Sequence, residues 1–142
     1  MPAYLSEGIA KGKPMSHFKV NQKDIFYILK DQLNYGSLCK LDRYNGLNEK
    51  TLDMLVSEAL VFAKGEVDPL QEIGEDHGVR YADGKVLCPP EFKEAFKRYG
   101  EDGWTAAARD PEYGGQGFPH MMRIVINDLM YGACQSFNMA PS

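Results

Sequence analysis

Between residues 48 and 65, Leu52, Leu55, Val56, Ala59, Leu60 and Ala63 recur at steps of three and four. Glu49, Lys50, Asp53, Ser57, Glu58 and Lys64 fill the positions between them. That spacing draws one continuous apolar stripe along a helix, whereas a strand would need strict alternation. A stripe of this kind has to be buried, so the rest of the chain must supply elements that pack on it.

Most of the remaining chain is also helical in period. In residues 20–33, Ile25, Ile28, Leu29 and Leu33 fall at helical spacing, Asn21 is a cap, and Gly36 stands where the helix should stop. Asp68-Pro69 reads as an N-cap with proline in the first turn, opening a short helix to about Asp76. The Asp83-Gly84 pair between short apolar pieces predicts a tight turn or small hairpin. Pro89-Pro90-Glu91 starts another helix with a stripe of Phe92, Ala95, Phe96 and Tyr99, ended by Gly100 and Gly103. From Phe118 onward, Met121, Met122, Ile124, Val125, Ile126, Leu129, Met130, Tyr131, Ala133, Cys134 and Phe137 cover nearly a whole helical circumference. Such a helix should be buried on all sides, and little chain follows it before Ser142 to cover its far face. An exposed apolar patch, and hence a larger assembly, is the expectation.

The predicted fold is an all-α bundle of about five to six helices with one short turn or hairpin. Residues 1–19 read as a flexible lead-in and 20–142 as one helical domain.

Composition excludes several classes of function. With 16 basic and 20 acidic residues among 142, the net charge is −4, and the lysines and arginines are interleaved with acids, which argues against nucleic acid. No apolar run reaches membrane-spanning length, and residues 1–8 lack the pattern of a secretory signal, so the cytoplasm is the expected location. Cys39, Cys88 and Cys134, like His17, His77 and His120, are scattered without disulfide or metal-ligand spacing.

Gly114-Gly115-Gln116-Gly117 ahead of a helix invites a phosphate cradle. The dinucleotide and P-loop patterns need a preceding strand, and the second also a Lys-Ser/Thr pair closing the glycine loop, and neither stands at residues 114–119; a turn with residues at positive φ is the expectation. Trp104 reads as a core plug, and Arg109, Asp110 and Glu112 as exposed charges. Neither the neighbouring Glu72, Glu75 and Asp76 nor Ser136, with no nearby His, makes a catalytic constellation.

Four stretches, in order, carry a family resemblance: Asp24-Ile25-Phe26-Tyr27-Ile28-Leu29; Gly78 through Pro90 with Phe92-Lys93; Gly103-Trp104 followed by Pro111-Glu112-Tyr113-Gly114-Gly115-Gln116-Gly117-Phe118-Pro119; and Asp128-Leu129-Met130-Tyr131-Gly132-Ala133-Cys134. The ordered set resembles the N-terminal helical domain of the acyl-CoA dehydrogenases, in a large-subunit branch with an extra N-terminal segment. The resemblance implies a complete enzyme in which this domain packs against a middle β-barrel and a C-terminal four-helix domain. FAD sits between the latter two, and the catalytic glutamate lies in the C-terminal part. The implied reaction converts an acyl-CoA to an enoyl-CoA, with electrons leaving through an electron-transfer flavoprotein; the complete enzyme would be a homo-oligomer.

On that resemblance no catalytic residue falls in this chain, and FAD would belong to the complete enzyme alone. The stretch after the Tyr131-Gly132 pair would face the acyl tail, which assigns Phe137, Asn138, Met139 and Pro141 to the acyl pocket and suggests a short, aromatic or functionalised acyl group. The alternative is a stand-alone helical protein-interaction module that binds a partner through its apolar last helix.

Overall fold

A computed structural model describes residues 17–142. Most of the expected lead-in, residues 1–16, lies outside the described residues. Helix α1 (Gln22–Phe26) begins at Asn21, whose side chain accepts the Lys23 amide at 3.1 Å, so the expected cap is present. It runs on as a wider π-helical stretch, Tyr27–Gln32, and stops at Asn34, which takes a left-handed conformation with φ 45°. The stop therefore comes at Asn34 and not at Gly36, because asparagine also tolerates that backbone region. Gly36 instead lies in the 3-10 turn Tyr35–Lys40, against the Glu49 side chain.

Helix α2 (Glu49–Phe62) carries the diagnostic stripe. Its cap, Asn48, accepts the Thr51 amide at 3.0 Å. Leu52, Val56, Ala59, Leu60 and Ala63 are all buried, and Leu55 is half-buried. The helix then passes through a π-helical stretch, Ala63–Val67, into α3 (Asp68–His77) without leaving right-handed helical dihedrals at either junction. Asp68 is thus not a cap, and Pro69 falls inside a continuing helix. Proline has no amide to give to the preceding turn, and the widened turn just before it is the local adjustment that lets the helix continue.

The Asp-Gly signal is met by an antiparallel hairpin, β1 (Arg80–Ala82) with β2 (Lys85–Leu87), with Tyr81 opposite Val86. Asp83 and Gly84 have φ 52° and 74°, the pair of positive angles that a two-residue hairpin turn requires. Helix α4 (Pro90–Glu101) buries Ala95 and Tyr99, but Phe96 is exposed, so its stripe is narrower than predicted. Gly100 lies within α4; the helix gives way at Gly103, with φ 83°.

Helix α5 (His120–Ala133) packs against α2 and buries Met122, Ile126, Leu129, Met130 and Ala133. The all-round apolar helix expected to reach Phe137 is corrected here. Cys134 adopts extended dihedrals (φ −157°, ψ 103°), ends α5, and starts the one-turn helix α6 (Gln135–Asn138), which folds back on α3 and α5. The outer side of α5 is mixed, with Arg123 and Asp128 beside exposed Ile124 and Tyr131.

Among the described residues, six helices and one hairpin bear out the helical bundle. The larger core cluster joins Ala59, Phe62, Ala63 and Val67 to Tyr99, Ile126, Met130 and Phe137. A smaller one joins Leu29 and Tyr35 to Leu52, Val56 and Met122. No helix among the described residues is long and apolar enough to cross a membrane.

Candidate functional site

The glycine loop follows two short 3-10 turns, Trp104–Ala106 and Pro111–Tyr113. Gly114 and Gly117 have φ 77° and 71°, as the turn reading required. Gly115 is needed for a different reason: a Cβ there would collide with the Arg109 carbonyl. The loop amides all point inward. Glu112 N donates to Asp110 Oδ1 at 3.0 Å. The amides of Tyr113 and Gly115 go to the Asp110 carbonyl, Gly114 to Pro111, Gln116 to Ala106, Gly117 to Arg109 and Phe118 to Ala107, at 2.9–3.1 Å. An anion cradle needs converging free N–H groups, and these are already bonded. The loop therefore does not fit the diphosphate of FAD.

Around this loop the charges behave as exposed groups. Asp110 uses its second oxygen on Arg43 at 3.7 Å, in a pair too open to contribute much. Trp104 packs its ring 5.9 Å from that of Phe62, which makes it a core plug, although its Nε1 is buried with no partner among the described residues.

The predicted acyl-pocket residues are separated by burial. Phe137 is 3 % exposed and stacks edge-on against Tyr99, with ring centroids 5.9 Å apart and the Phe92 ring 6.5 Å away. Asn138 is wholly buried; its Nδ2 lies 3.5 Å from the Asn127 carbonyl, and its Oδ1 has no partner among the described residues. Met139 is 69 % exposed. Pro141 lines a small cavity of about 110 Å³ with Tyr99, Trp104, Arg123 and Asn127. Phe137 and Pro141 are thus linked through Tyr99, whereas Met139 stands in solvent.

Tyr99 is the residue sequence reasoning missed at this site. Its place in the α4 stripe marked it as core, and nothing in the sequence said that it stacks on Phe137 and lines the same cavity as Pro141. Burial pushes its phenol up to about 12, against an opposing pull from Arg123.

Elsewhere, Glu72, Glu75 and Asp76 are exposed, and Ser136 Oγ lies 3.3 Å from Cys134 Sγ. Among the described residues no group of three or more His, Cys, Asp or Glu is placed to hold a metal ion. The densest polar cluster is structural. Asp53 accepts from Tyr35 Oη and, at 2.7 Å, from Lys30 Nζ, which also reaches Glu49 at 3.3 Å. The bond to Asp53 raises the Lys30 pKa, and burial followed by that same carboxylate raises that of Tyr35.

No protein-family model matches the chain. Over 119 residues, 84 % of this chain, it is 24 % identical to the 3-methylmercaptopropionyl-CoA dehydrogenase of Ruegeria pomeroyi. The likeness is to an acyl-CoA dehydrogenase. The chain spans 20 % of the length of that Ruegeria dehydrogenase. The likeness supports, at the level of the family, the acyl-CoA dehydrogenase resemblance carried by the sequence motifs.

Proposed function

We propose that residues 20–142 form the N-terminal helical domain of a flavin-dependent acyl-CoA dehydrogenase, which shapes the acyl pocket and is not catalytic alone. The observation that carries this reading is the likeness to the Ruegeria dehydrogenase over most of the chain. The bundle of six helices is in keeping with it. In the complete enzyme FAD would be bound by other parts of the polypeptide, because the glycine loop here has bonded its amides internally. The removal of a proton from Cα and a hydride from Cβ is likewise assigned outside this chain. Electron-transfer flavoprotein and further copies of the enzyme are the proposed partners.

For this chain the proposed task is to form part of the wall around the acyl tail. Met139 and Pro141 offer surface directly, and Phe137 and Asn138 set the floor from below. A buried aromatic floor with an unbonded amide oxygen suits a short or functionalised acyl group better than a long alkyl chain.

The test uses the whole polypeptide expressed from its native reading frame. It is expected to carry flavin and to reduce a dye acceptor with an acyl-CoA of short or functionalised chain. A colourless, inactive full-length protein overturns the reading. It would favour the second one, an interaction module binding through α5, the last long helix, where Ile124 and Tyr131 are exposed.

A further inference from the structure

Asp68 is 2 % exposed, and its carboxylate does no work within its own helix. Its Oδ1 accepts the backbone amides of His17 and Phe18, at 3.2 and 2.9 Å, from a part of the chain about fifty residues away. A buried carboxylate is tolerable only when hydrogen-bonded, so these two amides and the carboxylate stabilise one another. The second attachment is at Gly132. A Cβ built there would come within 2.7 Å of the Phe18 ring, so the ring occupies the space that the glycine leaves open on α5. Phe18 also packs against the core cluster that contains Ala133, Cys134 and Phe137.

We infer that His17 and Phe18 form a strap, held by Asp68 and Gly132, that positions helix α6. The strap joins the start of α3 to the end of α5, and α6 packs on both of these helices. Its ring lies over the residue two positions before Cys134, whose extended backbone turns α6 back onto the core. Releasing Phe18 removes packing from Gly132, two positions before the hinge, and from the core cluster to which Cys134 and Phe137 belong. Because α6 carries Phe137 and Asn138, the strap becomes a remote determinant of the acyl pocket; that last step rests on the function proposed above.

Two variants reach the strap from opposite ends. Asp68→Leu removes the acceptor while keeping the branched shape of the side chain, at a larger volume, and apolar replacements of buried charge are often tolerated by the fold. Gly132→Ala pushes the ring away and leaves the acceptor intact. Residue-resolved amide exchange on the chain is the readout, with Val56 in the α2 core as the control for global opening. In both variants exchange at Phe18, and at Asn138 and Met139, whose amides bond back to Cys134 and Gln135, should accelerate about tenfold or more, with Val56 unchanged. Faster exchange at Phe18 with no change at Asn138 and Met139 overturns the coupling. Unchanged exchange at Phe18 in either variant overturns the strap itself. If Val56 also accelerates in Gly132→Ala, Phe18→Leu replaces it and is judged by the same criteria. Acyl-CoA selectivity of the complete enzyme is a separate readout: a faster-exchanging α6 with unaltered selectivity counts against the acyl-pocket role and leaves the strap standing.

Discussion

Tyr35, a fully buried phenol, donates its hydroxyl to Oδ1 of Asp53 and so ties the first 3-10 turn to the middle of α2. The other oxygen of the same carboxylate holds Lys30 at 2.7 Å, so one acidic side chain joins three parts of the fold. Asp53→Ala should therefore cost more than a surface change, because it leaves a buried hydroxyl without an acceptor. A loss of about 1–3 kcal/mol in urea unfolding is expected. Asp53→Asn, which keeps an acceptor, should recover part of it.

Alkaline pH should unfold the protein earlier than its acidic net charge suggests. A free tyrosine ionises near 10, whereas burial holds Tyr99 at about 12 and raises Tyr35 as well. Above the unfolded value the unfolded chain releases these protons and the folded chain does not. Their contribution is thus complete below pH 10 and is lost as the pH rises towards and past 12. Phenolate absorbance followed alongside circular dichroism should show the last tyrosines ionising together with loss of helix. Tyr99→Phe should flatten that limb.

Two glycines should respond in opposite directions to alanine. At Gly115 the new Cβ meets the Arg109 carbonyl, and a destabilisation of about 1–3 kcal/mol is expected. Gly65 lies on an open face of the widened turn with nothing within 4 Å, so alanine there should be neutral or stabilising by up to about 1 kcal/mol. Thermal midpoints of the two variants, measured together, check both.

Truncating Phe137 confounds pocket and core. Its ring is buried between Tyr99 and Phe92, and Phe137→Ala should cost about 3–5 kcal/mol of stability. Met139→Ala, at an exposed position, should stay within about 0.5 kcal/mol of the parent. Acyl selectivity in the complete enzyme is therefore better tested at Met139 and Pro141, where an effect on substrate is not mixed with loss of fold.

The elements that were legible in the sequence are those whose signal is local. The α2 stripe, the Asn21 cap and the Asp83-Gly84 turn each depend on neighbouring residues, and each appears where the pattern put it. What was illegible depends on distant parts of the chain. Asp68 looks like a cap because Pro69 follows it, yet its carboxylate answers amides at residues 17 and 18. The break at Cys134 has no glycine or proline to announce it, so the apolar period runs straight through. That is also why the four residues assigned to the acyl pocket, which read as one stretch, divide into buried Phe137 and Asn138, half-buried Pro141 and exposed Met139.

The inward bonding of the glycine loop also determines how another molecule could recognise it. Seven successive amides, from Glu112 to Phe118, already have their acceptors. A partner approaching this corner finds no free main-chain donors from Glu112 to Phe118, so donors must come from the partner or from side chains such as the exposed Tyr113. The loop thus separates two duties that one stretch of chain usually shares: its main-chain N–H groups belong to the fold, and its outer side chains are free to change with whatever lies against them.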